Sequence, residues 1–243
     1  GRPLFIVPEE CRIDGRKLVD FFKTYQLGVS DGTPTHLRIL METLEPGETL
    51  DDLPVSRFVI GGEALPVAVV NDFYSRFTKE KPVIVNVYGP TECTVDSTCY
   101  HITGPLPQEV TQLPIGPPMP NTKVFILDPA QHMQPIGIPG ELCIGGAGVA
   151  RGYLNRPELS NDRFIEKNFY HEGHEGREGK EKDSETKSLN VSTVTSFPGT
   201  LGNSFNRARA AGGSLLYRSG DLGRWLVDGN IEFQGRMDHQ VKI

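Results

Sequence analysis

Residues 85–100 read VNVYGPTECTVDSTCY, and this stretch brings together Tyr88, Thr91 and Glu92. Tyr88 offers a flat ring on which a base could stack. Thr91 supplies a hydroxyl for a phosphate oxygen, and Glu92 a hard oxygen ligand suited to Mg²⁺. Taken alone, Gly89-Pro90 could equally be a simple turn, with Thr91 and Glu92 capping the next element. Two later runs bear on the choice. In YRSGD (217–221), Asp221 is expected on a turn, where an ionised carboxylate can accept both hydroxyls of a ribose. In GRMDHQVKI (235–243), Arg236 carries an always-charged fork suited to a phosphate or a ribose.

The elements that must position these groups follow from periodicity. LFIV (4–7) reads as a buried strand, and Asp14 is placed to cap a helix whose Leu18, Phe21, Phe22 and Tyr25 recur at helical spacing. LGVS (27–30) reads as a second strand, and Thr33-Pro34 as the N-cap and first position of a helix through Leu37, Leu40, Met41 and Leu44. RFVIGG, then EALPVAVVNDFYSRF, repeat the unit, and PVIVNVYG supplies a further strand. Such alternation predicts an α/β fold with a parallel sheet covered on both faces. Ligands of such sheets bind beyond the carboxyl ends of the strands. The tips to inspect are therefore Ser30-Asp31, Gly61-Gly62-Glu63 and Tyr88 to Glu92.

After about residue 96 the runs become short and β-rich: STCYHIT, KVFILD, GELCIGG, LLYRSG and NIEFQGR, with DGN (228–230) marking a hairpin. The expected division is an α/β subdomain over 1–96 and a mainly antiparallel, barrel-like β subdomain over 97–243. Residues 168–213, mixed in charge and poor in apolar side chains, are expected to be a disordered surface insertion.

Composition narrows the function classes. With 25 Lys and Arg against 31 Asp and Glu, the net charge is −6, so no basic surface for nucleic acid or anionic membranes is expected. The 4 cysteines are scattered, as reduced thiols would be, pointing to a cytoplasmic protein. No apolar run is long enough to cross a bilayer, and the first residues do not form a signal peptide. GGAGVARG (145–152) lacks the Lys-Ser/Thr of a P-loop, and its glycines miss the dinucleotide fingerprint by one position. HEGHE (171–175) lacks the second histidine spacing of a zinc-protease helix, and no Gly-x-Ser-x-Gly elbow is present.

The runs GELCIGGAGVARGYLNRPELS, NVYGPTE, LYRSGDLGRW and GRMDHQVKI resemble the core motifs of adenylation domains of non-ribosomal peptide synthetases. These domains belong to the adenylate-forming superfamily, with acyl-CoA synthetases and luciferases. The resemblance implies that an amino acid carboxylate attacks the α-phosphate of ATP, with Mg²⁺, giving an aminoacyl-AMP and pyrophosphate. The acyl group then passes to a phosphopantetheine thiol on a carrier protein. Carried over by residue, it assigns Asn86 and Tyr88 to adenine, with Gly62 and Phe233 near the nucleotide. Thr91 goes to phosphate, Glu92 to Mg²⁺, Asp221 to the ribose hydroxyls and Arg236 to the ribose and phosphate. Asp238 falls at the hinge between the large and small lobes.

The resemblance further places a phosphate loop and the aspartate for the substrate amino group before Gly1, and a small lobe with a catalytic lysine beyond Ile243. On that reading the chain is part of a large lobe and is not expected to adenylate alone. Neighbouring synthetase domains, and possibly a small activator protein, would be its partners. The side-chain pocket would be lined by Asp31, Val59, Gly61, Val87, Val95 and Asp96. Two carboxylates among small apolar residues would be costly to bury without a cation, which suggests arginine first, then ornithine or lysine. The alternatives are an acyl-CoA or aryl-acid ligase of the same superfamily, or a non-catalytic nucleotide-binding relic.

Overall fold

The computed structural model describes residues 3–167 and 214–237. The expected insertion at 168–213 and the hinge residue Asp238 lie outside the described residues.

In chain order the elements are α1 (Glu9–Arg12), α2 (Gly15–Tyr25), β1 (Val29–Gly32), α3 (Pro34–Glu42), β2 (Arg57–Ile60), α4 (Val67–Ser75) and β3 (Val83–Tyr88). A 3₁₀ turn (Thr91–Cys93) leads to β4 (Thr98–Ile102), β5 (Thr122–Leu127), β6 (Gly140–Gly146), α5 (Pro157–Arg163), β7 (Phe164–Lys167), β8 (Ser214–Trp225) and β9 (Ile231–Arg236). Local chemistry explains several boundaries. The Asp14 carboxylate accepts the Arg16 and Lys17 amides at 3.0 and 3.2 Å, so α2 starts there. Pro34 opens α3, and the Thr33 amide donates to His36 Nδ1 at 3.0 Å, closing the first turn.

The first sheet has the order β1-β2-β3-β4. Its first three strands are parallel and β4 is antiparallel to β3. STCYHIT, grouped with the second half by sequence, thus continues the first sheet to Ile102. The second sheet is antiparallel, in the order β5-β6-β8-β7, with β9 also on β8. Together they make the mixed α/β architecture expected from the alternating pattern.

Two expectations fail. LFIV forms no strand: Leu4 and Ile6 are 90% and 87% exposed, while Phe5 stacks on Tyr25 of α2 at 4.7 Å and Val7 packs on the core. The segment is a strand-like apolar run but has no strand partner among the described residues. The described helices also do not cover both faces. α2, α3 and α4 share one core with Phe58, Ile60, Ile84 and Ile102, which lie on a single face. The opposite face carries Asp31, Val59, Val85 and Val87. Continuous apolar strands are consistent with two covered faces, but they do not specify which described element covers each.

Helix α4 is pinned to the sheet by the Tyr74 hydroxyl, which donates to the Ile102 carbonyl at 2.6 Å and accepts the Ile84 amide at 3.3 Å. At 1% exposure no water can replace it. Tyr74→Phe is expected to cost about 1–3 kcal/mol, the penalty for leaving buried backbone groups unpaired. A urea midpoint lowered at unchanged m value would show this, and an unchanged midpoint would refute it.

Candidate functional site

Strand β3 runs out at the junction of the two sheets, and a cavity of about 670 Å³ opens there. Gly62, Asn86, Tyr88, Asp221, Phe233 and Arg236, all singled out in the sequence, line it. Sequence reasoning missed two other walls, Ala64 to Val67 at the start of α4 and Thr111 to Leu113. The second is held by Gln112, whose amide donates to the Phe233 carbonyl. Its proline-punctuated sequence gave no periodic signal.

Asp221 sits on the cavity floor, 5% exposed. It is not on a turn as expected: it lies inside β8 at a bulge, where the β8–β9 register shifts between Asp221 and Gly223. The Tyr88 hydroxyl donates to Asp221 Oδ2 at 2.5 Å, and Arg236 Nη1 donates to Oδ1 at 2.9 Å. Burial first, then the charge of Asp221, raises the Tyr88 phenol well above its ordinary value, so it remains a donor. The Tyr88 and Phe233 rings stand 5.8 Å apart at 43°, an apolar flank at the same cavity. Asn86 is buried, and its amide donates to the Pro114 carbonyl at 2.9 Å, which leaves its oxygen as an acceptor.

Thr91 and Glu92 lie beyond this cavity on the 3₁₀ turn, Thr91 exposed and Glu92 half-buried. Tyr153, unremarked in the sequence, donates its hydroxyl to Glu92 Oε1 at 2.5 Å. Burial raises the phenols of Tyr153 and Tyr217, helped in the first by the Glu92 hydrogen bond and in the second by Tyr153. Cys93 next door is buried and pushed up to about 12, so it is no nucleophile. Among the described residues no cluster of three or more His, Cys, Asp or Glu could hold a metal. A lone carboxylate beside an exposed hydroxyl still suits Mg²⁺, which keeps waters and binds substrate phosphates through one or two carboxylates. Glu92 would hold the ion.

Several residues expected to face the substrate side chain gather on the face of the sheet opposite the described helices. Asp31 and Val59 are paired in register, and Val87 lies on the same face of β3. Gly61 is required beside Val87, since a Cβ there would come within 2.6 Å of Val87 Cγ2. Asp96 is presented by a tight turn in which its amide donates to the Thr94 carbonyl at 2.9 Å around Val95, whose φ is +68°. Positive φ at a β-branched residue is strained. Val95 is 65% exposed.

The expectation that both carboxylates are buried is corrected: Asp31 is exposed and Asp96 half-buried. Protein crowds Asp31 without covering it and raises its carboxyl, with His36 acting the other way. Asp96 is raised by burial first and then by the charge of Asp31, so the repulsion falls on the second of the two to ionise.

Residues 1–154 match the model of a family described as AMP-binding enzyme. Bacitracin synthase 1 of Bacillus licheniformis is 37% identical over 244 residues, which take in 100% of this chain and 4% of that protein. Tyrocidine synthase 3 of Brevibacillus parabrevis is 33% identical over 243 residues, 100% of this chain and 3% of that protein. The chain therefore spans a few per cent of the length of these curated relatives. A solved structure, NpsA-ThdA, an artificially fused Adenylation-PCP di-domain NRPS from Klebsiella oxytoca, superposes with a TM-score of 0.64. At 22% identity the match covers 95% of this chain and 34% of that one, and the likeness is one of fold.

The aspartate pair makes stability pH-dependent. Both folded carboxyls keep their protons to higher pH than the ordinary 3.8, so the folded state binds more protons than the unfolded one above that value. Stability from the pair is therefore present at low pH and lost as pH rises through the raised values. The Tm of the wild type is expected to fall relative to that of Asp96→Asn as pH increases from 3.8 upward. Parallel Tm curves for the two proteins would rule out coupling between Asp31 and Asp96.

Proposed function

The chain belongs to the AMP-binding enzyme family, and from that membership we propose that it is part of an amino-acid-activating adenylation domain of a non-ribosomal peptide synthetase. The observation that carries the reading is the convergence of Tyr88, Asp221, Phe233 and Arg236, distant in sequence, on one cavity at the end of a parallel strand. In this proposal adenine lies against Tyr88 and Phe233 near Asn86 and Gly62, and Asp221 receives the ribose hydroxyls. Arg236 reaches the ribose and phosphates, and Thr91 donates to a phosphate oxygen.

The substrate carboxylate forms a bond to the α-phosphorus as the bond to the bridging oxygen breaks, releasing pyrophosphate. Bound Mg²⁺ supplies positive charge to offset what develops on the phosphates. A phosphopantetheine thiol on a carrier domain then takes the acyl group, losing its proton, and AMP departs with the bonding electrons. ATP, Mg²⁺, an amino acid, the carrier and neighbouring synthetase domains are thus the proposed ligands and partners, with a small activator protein a further candidate. No described helix is long and apolar enough to cross a membrane. A cytoplasmic location belongs to the same proposal.

For the substrate we propose a cationic amino acid, arginine first, then ornithine or lysine, held between Asp31 and Asp96 over Val59, Gly61 and Val87. Support comes from the raised carboxyl of Asp96 beside the charge of Asp31, which a cation would relieve. Because Asp31 is exposed, the contact should contribute about 1.5–3 kcal/mol, as a charge-assisted hydrogen bond does, rather than the roughly 3–5 kcal/mol of a buried pair.

Amino-acid-dependent exchange of pyrophosphate into ATP by the intact synthetase carrying this chain tests both levels. Arginine or ornithine is expected to lead a panel of side-chain classes. Asp96→Ala is expected to lower kcat/KM for the cationic substrate by about tenfold to a hundredfold. Exchange led by an apolar or aromatic acid would keep the chemistry and discard the cationic pocket. No exchange from a folded protein that still binds ATP would instead favour the non-catalytic reading.

A further inference from the structure

We propose that Tyr153, backed by Tyr217, is a positioning residue for Glu92 that presets its carboxylate to receive a divalent cation. The inference rests on the reading of Glu92 as the metal ligand and extends it to residues not otherwise assigned a role.

The direction of the short hydrogen bond is forced. An ionised carboxylate only accepts, so the Tyr153 hydroxyl spends its proton on Glu92 Oε1 at 2.5 Å. The Tyr217 hydroxyl lies 3.4 Å from that of Tyr153 and interacts with both Tyr153 and Glu92. The result is a cluster of two phenols around the Glu92 carboxylate, with the Tyr153 hydroxyl as its close donor. With Oε1 held by the phenol, the orientation of the carboxylate is fixed before a cation arrives.

The device is rigid at every joint. Tyr153 packs edge-on against Phe164 with centroids 5.4 Å apart, and Phe164 packs on Tyr217 at 5.1 Å. The Tyr153 amide donates to Ser160 Oγ at 2.8 Å, and Ser160 is 3% exposed. The same loop is stapled to the turn that carries Glu92. The Ala150 amide donates to the Glu92 carbonyl at 2.7 Å, and the Thr94 hydroxyl to the Gly148 carbonyl at 2.7 Å. A residue that served packing alone would not need its hydroxyl aimed at the one carboxylate of this turn. Groups that orient a metal ligand in this way set its affinity, and their loss typically weakens metal binding 10- to 100-fold.

The test measures ATP binding to the intact synthetase calorimetrically, in EDTA and in saturating Mg²⁺, for the wild type, Tyr153→Phe and Tyr217→Phe. Mg²⁺ should tighten ATP binding in the wild type. In Tyr153→Phe that gain should shrink roughly tenfold, while the affinity for metal-free ATP stays unchanged. Tyr217→Phe keeps the close Tyr153 bond to Glu92 and should lose less. An undiminished gain in Tyr153→Phe overturns the proposal, as does an equal loss of affinity with and without metal accompanied by a lower Tm. A wild type that binds ATP under neither condition overturns the nucleotide reading and this inference with it.

Discussion

The buried carboxylate of Asp221 ties the two sheets together, and much of the site's geometry follows from what a buried charge requires. An ionised group at 5% exposure is costly without partners. Asp221 has one from each sheet: the Tyr88 hydroxyl at the tip of β3 and the Arg236 guanidinium on β9. The bulge that aims Asp221 into the cavity is itself held from beneath. The Glu141 carboxylate on β6 takes both Arg218 Nε and Nη2, at 2.9 and 2.8 Å, and the Gly220 amide at 3.2 Å. Ser219 accepts the Asp221 amide at 3.0 Å and donates to the Leu142 carbonyl at 2.7 Å. A local distortion of β8 is thus fixed by a second, separate charge pair.

The same junction explains where the backbone is strained. Leaving β3, the chain must double back so tightly that the Ser97 amide reaches the Tyr88 carbonyl at 2.8 Å. Gly89 is needed at the crossing because a Cβ there would lie 2.1 Å from the Val95 carbonyl oxygen. What remains of the reversal falls on Thr94 and Val95, both at positive φ, 62° and 68°. Strain of this kind costs about 1–3 kcal/mol per residue and persists where surrounding structure over-determines it. Here the fixing bonds are those of Thr94 to Gly148 and of Ala150 to Glu92, which join the turn to the second sheet's loop.

What could be read in the sequence was what neighbouring residues decide. The Asp14 cap, the Thr33-Pro34 helix start and the Asp228-Gly229-Asn230 hairpin depend on contacts a few residues apart, and each is where the pattern put it. Tyr88, Asp221 and Arg236 stood out by residue chemistry and Gly62, Asn86 and Phe233 by the family resemblance, and all six line one cavity. Features decided across long separations were misjudged. LFIV is a continuous apolar run like a buried strand but has no described partner, and Ser219-Gly220-Asp221 has turn chemistry but is drawn into β8 as a bulge. Tyr153 sits among Gly, Asn and Pro and reads as a loop aromatic, and nothing nearby announces that its hydroxyl meets Glu92. The exposure of Asp31 was likewise invisible, because no local pattern states which face of a sheet the helices will cover.

The placement of the described helices on one face bears directly on how two reactants could meet. Successive residues of a strand point to opposite faces, so β3 sends Ile84 and Asn86 to the helix side and Val85 and Val87, both also buried, to the other. Tyr88, still paired with Thr98 of β4, shares the parity of Ile84 and Asn86, and its hydroxyl reaches Asp221. If the nucleotide lies against Tyr88 and the substrate side chain lies over Val87, the two are served by adjacent residues of one strand. The atoms that react must then meet just beyond its carboxyl end, where Gly89 and Pro90 give way to Thr91 and Glu92. The hydroxyl and carboxylate stand where a parallel strand's own period brings phosphate and acid together, and this accounts for their following Tyr88-Gly89-Pro90 without an intervening element.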